Sequence, residues 1–326
     1  MVRLIILKGG SGYDVSGCVE KIIWSGRKGA APRCLKATLL DDGGGGNKRI
    51  SIDCADGDRC VLYKGKEELF RGIIEAHAQG DSRRLSFTAY DSMYYLANNR
   101  DSFCYSNQTA SQIFRDCMAR AGIPCGDVAE TGYVIPELPK AKTTFYDVLL
   151  DALSMTYKAT SQRYYISSEK GRIHLRRRVE HMMQWVLEYG ANITGYEYTK
   201  SISGIKTRVR LLSKEDAVVY EEADAALEAR IGTFMDVQSV DDGYNEAQIR
   251  ELVQSVFEEK GKPARALKVS GIGITDAVSG SCVYAVIPHL GIKRTFYIDE
   301  DTHTFSGKAH TMSLKLNFAR GIGEAG

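Results

Sequence analysis

The pattern of apolar and polar positions predicts short β-strands along the first hundred residues. Short runs in which apolar and polar residues alternate, or in which β-branched residues recur, are separated by Gly, Asp and Asn. Such runs predict strands, because successive side chains of a strand point to opposite faces of the sheet. Regularly spaced short strands are typical of a small barrel or sandwich. The runs cover residues 22–24, 35–39, 50–52, 60–63, 70–74 and 85–89.

The same order of strand-like runs recurs near the C-terminus. The runs follow Gly57 at 60–63, 70–74 and 85–89, and they follow Gly280 at 282–286, 295–298 and 311–316. The gaps between the runs are similar in the two places, so we interpret them as two copies of one sheet unit. No residues suited to catalysis recur at the ends of these strands, which favours a scaffold over an enzyme.

Between the two copies the periodicity changes to that of helices. Residues 109–121 place apolar side chains on one helical face, and Gly122 then favours the end of the helix. A second helix is predicted to begin at Thr144, whose hydroxyl can cap it. A hairpin with its turn at 167–171 follows. These elements predict a small α+β domain over residues 101–185.

An acidic block interrupts the second copy. The whole chain has a net charge of +2, whereas residues 214–262 contain five basic and thirteen acidic residues. Asn245 and Gln248 predict the start of a helix within this block, and Gly261 predicts its end. Strand-like runs lie on both sides, so we interpret the block as a solvated insertion.

Together these patterns predict an α+β, β-rich fold with two related small β-barrel domains. The predicted parts are a first barrel (1–100), an α+β domain (101–185), a second barrel (186–213 with 263–326) and an acidic α+β insertion (214–262) within that barrel.

Composition limits the cellular setting. The eight cysteines include no C-x-x-C pair and several lie in apolar runs, so we predict that they are reduced and structural. The N-terminal apolar run is too short for a signal peptide, and no segment approaches the roughly 20 apolar residues that span a bilayer. The sequence therefore predicts a protein made in the cytoplasm, without membrane insertion.

Two loops match ligand-binding motifs only in part. The glycine-rich loop at 9–12 is not followed by the Lys-Ser or Lys-Thr of a phosphate-binding loop. Three aspartates surround Gly57 as in a calcium loop, but Tyr63 occupies the position of the bidentate glutamate. We interpret both segments as ordinary turns. The three aspartates are Asp53, Asp56 and Asp58.

His303 and His310, with Asp299 and Asp301 nearby, form the most metal-like cluster. Imidazole and carboxylate groups together can fill a divalent metal site. No second histidine stands at the i+2 or i+4 spacing that commonly fixes a metal. We interpret the segment as a turn between two strands, in which His303 makes a hydrogen bond, and we predict neither a metal nor a cofactor.

No catalytic residue is assigned. The sequence contains no G-x-S-x-G nucleophile motif, and we interpret the carboxylates of the acidic block as solvating groups. The basic run 176–178, with His181 and Trp185, has residue types that contact phosphates and stack on bases. We interpret this run as a solvated rim or a protein contact, because no larger basic surface accompanies it.

Short motifs along nearly the whole chain resemble those of the hub proteins of contractile-tail phages, in particular the hub of PBSX-type prophages of Gram-positive bacteria. The acidic insertion matches this family least. The motifs lie at 22–26, 31–33, 57–58, 69–72, 89–96, 121–124, 144–147, 201–202, 301–305 and 310–312.

This resemblance implies an assembly. The family is similar to phage tail protein D and to the N-terminal part of type VI secretion spike proteins, in which two related tube-like barrels per chain assemble as a trimer. A homotrimer would present six similar barrels. It could then join a sixfold tail tube to a threefold spike. The implied partners are the tail tube protein, the spike protein and other baseplate proteins, with no sequence-specific nucleic acid.

We therefore expect a structural, non-enzymatic baseplate hub with a central channel. It would be assembled in the bacterial cytoplasm and located in the tail of a virion or of a contractile bacteriocin particle. Two alternatives remain open, namely a tail-associated cell-wall hydrolase and a nucleic-acid-binding module that uses residues 176–178.

Overall fold

The computed structural model describes residues 2–41, 52–80, 83–177, 182–240 and 243–318. The predicted strand at 50–52 lies largely outside these residues. The chain forms two compact units, one of residues 1–196 with 268–326 and one of residues 197–267.

Strands predominate in both units. The strands are β1 (Val2–Lys8), β2 (Ser11–Asp14), β3 (Val19–Arg27), β4 (Ala30–Leu40), β5 (Arg59–Lys64), β6 (Glu67–Gln79), β7 (Arg84–Asp91), β8 (Arg100–Thr109), β9 (Cys125–Val128), β10 (Val134–Thr144), β11 (Tyr164–Glu169), β12 (Arg172–Arg177), β13 (Met182–Glu188), β14 (Ile193–Ser201), β15 (Arg208–Leu212), β16 (Val218–Ala223), β17 (Met235–Ser239), β18 (Ala264–Ile272), β19 (Cys282–Ile287), β20 (Ile292–Ser306) and β21 (Ala309–Asn317). The helices are α1 (Met93–Asn98), α2 (Ala110–Ala121), α3 (Phe145–Thr160), α4 (Ala225–Ile231) and α5 (Glu246–Lys260).

Among the described residues the largest sheet has thirteen strands, which are two six-stranded sets with the same order and β2 beside β1. We call the set β3-β4-β7-β6-β5-β1 the first repeat and the set β14-β18-β21-β20-β19-β13 the second repeat. Pairing between β20 and β3 joins the two repeats into one sheet. The repeats differ at one end, because β1 is antiparallel to β5 whereas β13 is parallel to β19. The predicted duplication is therefore present as a repeated strand order.

The backbone hydrogen bonds repeat as well as the strand order. The amide of Gly57 donates to the Ile74 carbonyl (2.8 Å), and the amide of Ile74 donates to the Asp58 carbonyl (2.8 Å). In the second repeat Gly280 donates to Ile298 (2.9 Å), and Ile298 donates to Ser281 (3.0 Å). Both glycines have positive φ, +91° and +97°, so the two turns enter their strands in the same way.

An irregularity in the central strand recurs at the matching place. In the first repeat Ile74 pairs with Ala89, and the register then shifts before Ala76. In the second repeat Ile298 pairs with Leu316, and the register shifts before Glu300. Bulges bend a strand and are kept where that bend is needed. The two repeats thus share this bulge as well as their strand order.

Residues 100–177 form the α+β part of the larger unit. β8 pairs with β10, and β11, β12 and β9 form a three-stranded sheet. Helices α2 and α3 bury Phe114, Met118 and Leu149 in a core that also contains Phe103 of β8 and Leu175 of β12.

The helix boundaries lie at capping residues, of which Gly122 and Thr144 were identified in the sequence. Thr109 and Gln112 form a reciprocal capping box at the start of α2, and Gly122 ends the helix in the left-handed conformation. At α3 the Thr144 hydroxyl accepts a hydrogen bond from the Asp147 amide (3.0 Å). Such caps satisfy amides that have no partner within the helix, which explains why these boundaries were predictable.

The unit of residues 197–267 has its own core. A sheet in the order β16-β15-β17 packs on α5, with Val209 and Leu211 of the sheet against Val253 and Val256 of the helix. The sequence assigned residues 208–212 to the second barrel, whereas they form the central strand of this sheet. Alternation predicts a half-buried strand but does not identify the sheet that contains it.

The α+β, β-rich class predicted from the sequence is confirmed. The sequence predicted strands throughout the first hundred residues and missed α1. The Asp91 carboxylate accepts a hydrogen bond from the Met93 amide (2.9 Å) and so begins this short helix directly after β7. None of the helices in the described ranges is long and apolar enough to cross a bilayer.

Replacing either of the matching glycines should destabilise the chain. We expect Gly57→Ala and Gly280→Ala each to lower the free energy of unfolding by about 1–3 kcal/mol, because alanine rarely adopts positive φ. No atom lies within 4 Å of an added Cβ at either site, so the cost is one of backbone conformation.

Urea unfolding measures this effect, with Gly17→Ala as the control. Gly17 also has open space around an added Cβ but lacks a positive φ, so its replacement should leave stability unchanged or slightly higher. An equal loss in all three variants would contradict the backbone explanation.

Candidate assembly interface

The pairing of β20 with β3 is the seam between the two repeats. It is antiparallel, with Glu300 opposite Arg27, His303 opposite Trp24 and Phe305 opposite Ile22. The core-facing side chains of β20 along the seam are fully buried. Two of these side chains are polar, namely Asp301 and His303. Their hydrogen-bond partners therefore determine whether the seam is stable.

The Asp301 carboxylate is neutralised by Arg33 of β4. Two nitrogens of the guanidinium, Nη1 and Nη2, donate to Oδ1 and Oδ2 of Asp301, at 2.9 and 2.6 Å. The amide of Ser279 also donates to Oδ1 (2.6 Å), and the guanidinium lies 4.4 Å from the ring centroid of Trp24. One buried ion pair thus connects β3, β4, β20 and the loop before β19.

A chain of hydrogen bonds runs through the two histidines. The Lys64 ammonium can only donate, so Nδ1 of His310 accepts from it (3.2 Å) and the His310 proton is on Nε2. That Nε2–H donates to Nδ1 of His303 (3.1 Å), and Nε2–H of His303 donates to the Ala277 carbonyl (3.1 Å). The arrangement requires both imidazoles to be neutral, and it links β5 of the first repeat to β20 and β21 of the second.

Burial favours the neutral form of both histidines. Loss of solvation, followed by the nearby Lys64 charge and His303, lowers the pKa of His310 to about 4. Burial is also the main cause that lowers the pKa of His303, against a smaller opposing effect of Asp301. The hydrogen-bond chain is therefore formed at neutral pH.

The structure brings His303 and His310 together but uses them differently from either sequence interpretation. His303 lies inside β20, and the turn to β21 comes four residues later at 307–308. Its hydrogen bonds go to His310 and Ala277, while Asp301 is engaged by Arg33. Among the described residues, no group of three or more His, Cys, Asp or Glu side chains could hold a metal ion.

The three aspartates around Gly57 do not converge on a common point. Asp53 pairs with Lys8, and Asp56 contacts Nδ1 of His77 at 2.6 Å. Asp58 accepts a hydrogen bond from the Ala55 amide at 2.9 Å. The glycine-rich loop at 9–12 contains the tight turn that connects β1 with β2.

The basic run 176–178 is described only in part. Arg176 donates to both carboxylate oxygens of Glu169, at 2.6 and 2.9 Å. Trp185 lies on β13 and is half exposed. Arg178 and His181 lie outside the described residues.

The first repeat contains a copy of the seam strand whose edge is open. We call residues 75–79 of β6 the open edge. In the first repeat His77 of β6 lies opposite Phe87 of β7, and in the second repeat Asp301 of β20 lies opposite Leu314 of β21. His77 therefore corresponds to Asp301. By the same correspondence Gln79 matches His303. Residues 75–79 are all exposed, whereas β3 covers their counterparts in β20.

The complementary edge is open at the other end of the sheet. β14 occupies the place in the second repeat that β3 occupies in the first. Within the described ranges, β14 pairs in the sheet only with β18, and the open edge of β6 pairs only with β7. Among the described residues there is therefore one completed seam and two uncovered edges at the places that correspond to its two strands. The repeat was predictable from the sequence, whereas these edges were not.

The fold is that of phage tail proteins. The 43 kDa tail protein of prophage MuSo2 from Shewanella oneidensis matches 96% of this chain and 98% of its own chain, with a TM-score of 0.70 and 13% identity. The c3393 protein of E. coli, described as a component of the type VI secretion system, matches 94% of this chain and 76% of its own, with a TM-score of 0.55 and 10% identity.

The chain belongs to the YQBQ-like family, whose model matches residues 22–317. The phage-like element PBSX protein XkdQ of Bacillus subtilis (strain 168) is 36% identical over 321 residues, which cover 97% of each chain. The resemblance to PBSX-type prophage proteins that the motifs indicated is thus confirmed, and the chain is a phage tail-like protein.

Removing the buried carboxylate should weaken the seam far more than removing its exposed neighbour. We expect Asp301→Ala to lower the free energy of unfolding by about 3–5 kcal/mol, because it leaves the Arg33 charge largely buried without its partner. Glu300→Ala is the control and should cost less than about 1 kcal/mol, since its pairs with Arg27 and Lys315 are exposed. Urea unfolding distinguishes the two, and equal losses would contradict the role assigned to Asp301.

The stability of the chain should decrease as the pH falls from about 6.5 towards 4. The pKa of His310 is lower in the folded than in the unfolded chain, so the unfolded chain binds its proton first. Stability from this group is complete above about pH 6.5, the ordinary histidine value, and is lost progressively below it.

Urea midpoints at a series of pH values measure this dependence. His310→Gln should flatten the decrease between pH 6.5 and 4. His289→Gln, at an exposed histidine, should retain it. A decrease of unchanged size in His310→Gln would show that other groups are responsible.

Proposed function

We propose that this chain is the structural, non-enzymatic hub of a phage or phage-derived contractile tail. Three copies form a pseudo-sixfold ring with a central channel, which joins the sixfold tail tube to the threefold spike. The ring assembles in the host cytoplasm and is then part of the tail baseplate, where it also contacts other baseplate proteins.

The observation that carries this proposal is the seam between β20 and β3. The strands that correspond to these two, β6 and β14, each have an edge that pairs with no further strand in the described residues. If the open edge of one copy pairs with β14 of the next copy as β20 pairs with β3, the contact between copies reproduces the contact within a copy. Repetition of one such contact gives a ring when its rotation closes. Three chains with two repeats each then contain six similar seams.

Strand addition also satisfies the backbone of both edges. An exposed strand edge presents unpaired amides and carbonyls that readily pair with another chain. Pairing would bury His77 and Gln79 as their counterparts Asp301 and His303 are buried in the existing seam. The new seam would therefore have a similar geometry with different side chains, and it would form only when copies meet.

The relatives support a role in a phage tail. The XkdQ protein belongs by its name to a phage-like element, and the E. coli c3393 protein is described as structurally similar to the T4 tail proteins gp27 and gp5. A chain that shares the fold over nearly its full length is suited to a tail role of that kind.

A double lysine variant at the open edge tests the ring. We expect the unmodified chain to have the mass of a trimer by native mass spectrometry, alone or with its spike protein. His77→Lys combined with Gln79→Lys should remain folded but fail to form the trimer. Both positions are exposed in the single chain. A ring would bury two added ammonium groups there, and the cost of removing them from water remains large even beside Asp56 and Asp41.

The matched control is Ala226→Lys combined with Ala229→Lys, at two exposed positions of α4. It should form the trimer as the unmodified chain does. A stable unmodified monomer that binds neither tail tube nor spike protein would overturn the proposal. A trimer that tolerates the His77 and Gln79 changes would exclude this edge as the interface.

A further inference from the structure

A backbone hydrogen bond aligns the end of β4 with the end of β18. The Asp41 amide, directly after β4, donates to the Arg83 carbonyl (3.0 Å). The Gly273 amide, directly after β18, donates to the His310 carbonyl (2.8 Å). The two donors therefore occupy corresponding places in the two repeats.

Eight residues before each of these donors the chain has an arginine. These are Arg33 in β4 and Arg265 in β18. Leu35 and Leu267, two residues further on, are both fully buried, so alternation places the two arginines on the same face of their strands. Arg33 is engaged in the seam, whereas Arg265 is exposed and its guanidinium pairs with no other described residue.

The surroundings of the Arg33 guanidinium are repeated as well. It donates to Asp301 and to the Oγ of Ser279 (3.3 Å). Ser279 directly precedes the glycine turn of the second repeat, and Asp56 directly precedes that of the first. Asp56 contacts His77 at 2.6 Å, as the amide of Ser279 contacts Asp301. The first repeat therefore has a carboxylate where the existing seam has a hydroxyl that accepts from an arginine.

We propose that Arg265 of one copy forms an ion pair with Asp56 of the next copy and so fixes the alignment of the seam between copies. The inference rests on the proposed ring, in which β14 and β18 of one copy follow the open edge of another as β3 and β4 follow β20. The Asp56 side chain is 62% exposed in the single chain and, among the described residues, pairs only through Oδ1. Assembly would thus bring together two exposed groups of opposite charge, which favours one register and disfavours others.

The two seams differ at the residue that the arginine crosses. Within the chain Arg33 lies over Gly26, where an added Cβ would overlap the guanidinium. The hydrogen bond from the Ile272 amide to the Asn192 carbonyl (2.9 Å) aligns β18 with β14, and this alignment places Thr199 where β3 has the glycine. The arginine of the second repeat thus has less room, which fits a partner in an exposed loop rather than a fully buried one.

Exchange of the two charges tests the pair, under conditions in which the unmodified full chain forms the trimer. Asp56→Arg and Arg265→Asp should each raise the chain concentration of half-assembly by at least about tenfold, because each brings like charges together. The combined variant should return to within about threefold of the unmodified chain, since the pair is present again with its charges exchanged. Native mass spectrometry over a series of concentrations measures all three.

The matched control is Arg230→Asp, at an exposed arginine of α4. It should assemble as the unmodified chain does. Urea unfolding shows whether each variant is folded. If a charge reversal prevents folding, Asp56→Asn and Arg265→Gln replace it. Each should weaken assembly by at least about threefold, and the two together should weaken it no more than either alone.

The outcomes separate this inference from the proposed function. Single variants that assemble like the unmodified chain would overturn the ion pair and leave the ring in place. A combined charge-exchange variant that stays as weak as the single variants would overturn it too. An unmodified chain that forms no trimer, alone or with its spike protein, would overturn the proposed function itself, and this is measured before any variant is made.

Discussion

The buried pair of Arg33 and Asp301 is the interaction on which the joining of the two repeats depends. Burying a carboxylate is costly unless its charge is matched and its oxygens are hydrogen-bonded. Here both oxygens accept from Arg33, and the Ser279 amide adds a third donor. Because these groups come from opposite repeats, the pair is satisfied only when β20 and β3 are in register. It therefore specifies the alignment of the repeats as well as stabilising it.

The hydrogen-bond chain through His310 and His303 also favours one alignment of the two repeats, although both imidazoles are neutral. Lys64 fixes the proton of His310, and His310 in turn fixes that of His303. A displacement of either repeat would leave a buried imidazole nitrogen unpaired. The open edge has His77 and Gln79 in the corresponding places, which are exposed and tolerate water. In the ring that we propose, this difference distinguishes the permanent seam within a chain from the seam that forms between copies.

Local signals in the sequence predicted the helices and strands. Which strands pair with each other could not be predicted, because the partners are far apart in the chain. The caps at Thr144 and Asn245 predicted two helix starts, because a cap involves residues three positions apart. The glycine turns and strand order identified the repeat. Pairing between β3 and β20 joins residues that are far apart in the chain, and periodicity contains no information about such partners.

The functional surfaces were missed for the same reason. His303 and His310 attracted attention as metal ligands because their residue types are visible in the sequence. Their partners Lys64 and Ala277 come from other parts of the sheet. An open strand edge has no residue signature at all, since it is defined by the absence of a neighbouring strand. In a duplicated fold, however, an uncovered edge can be recognised in the structure, because the matching edge of the other repeat is covered by a strand. The seam between β20 and β3 thus shows which strand the open edge of β6 lacks in the single chain.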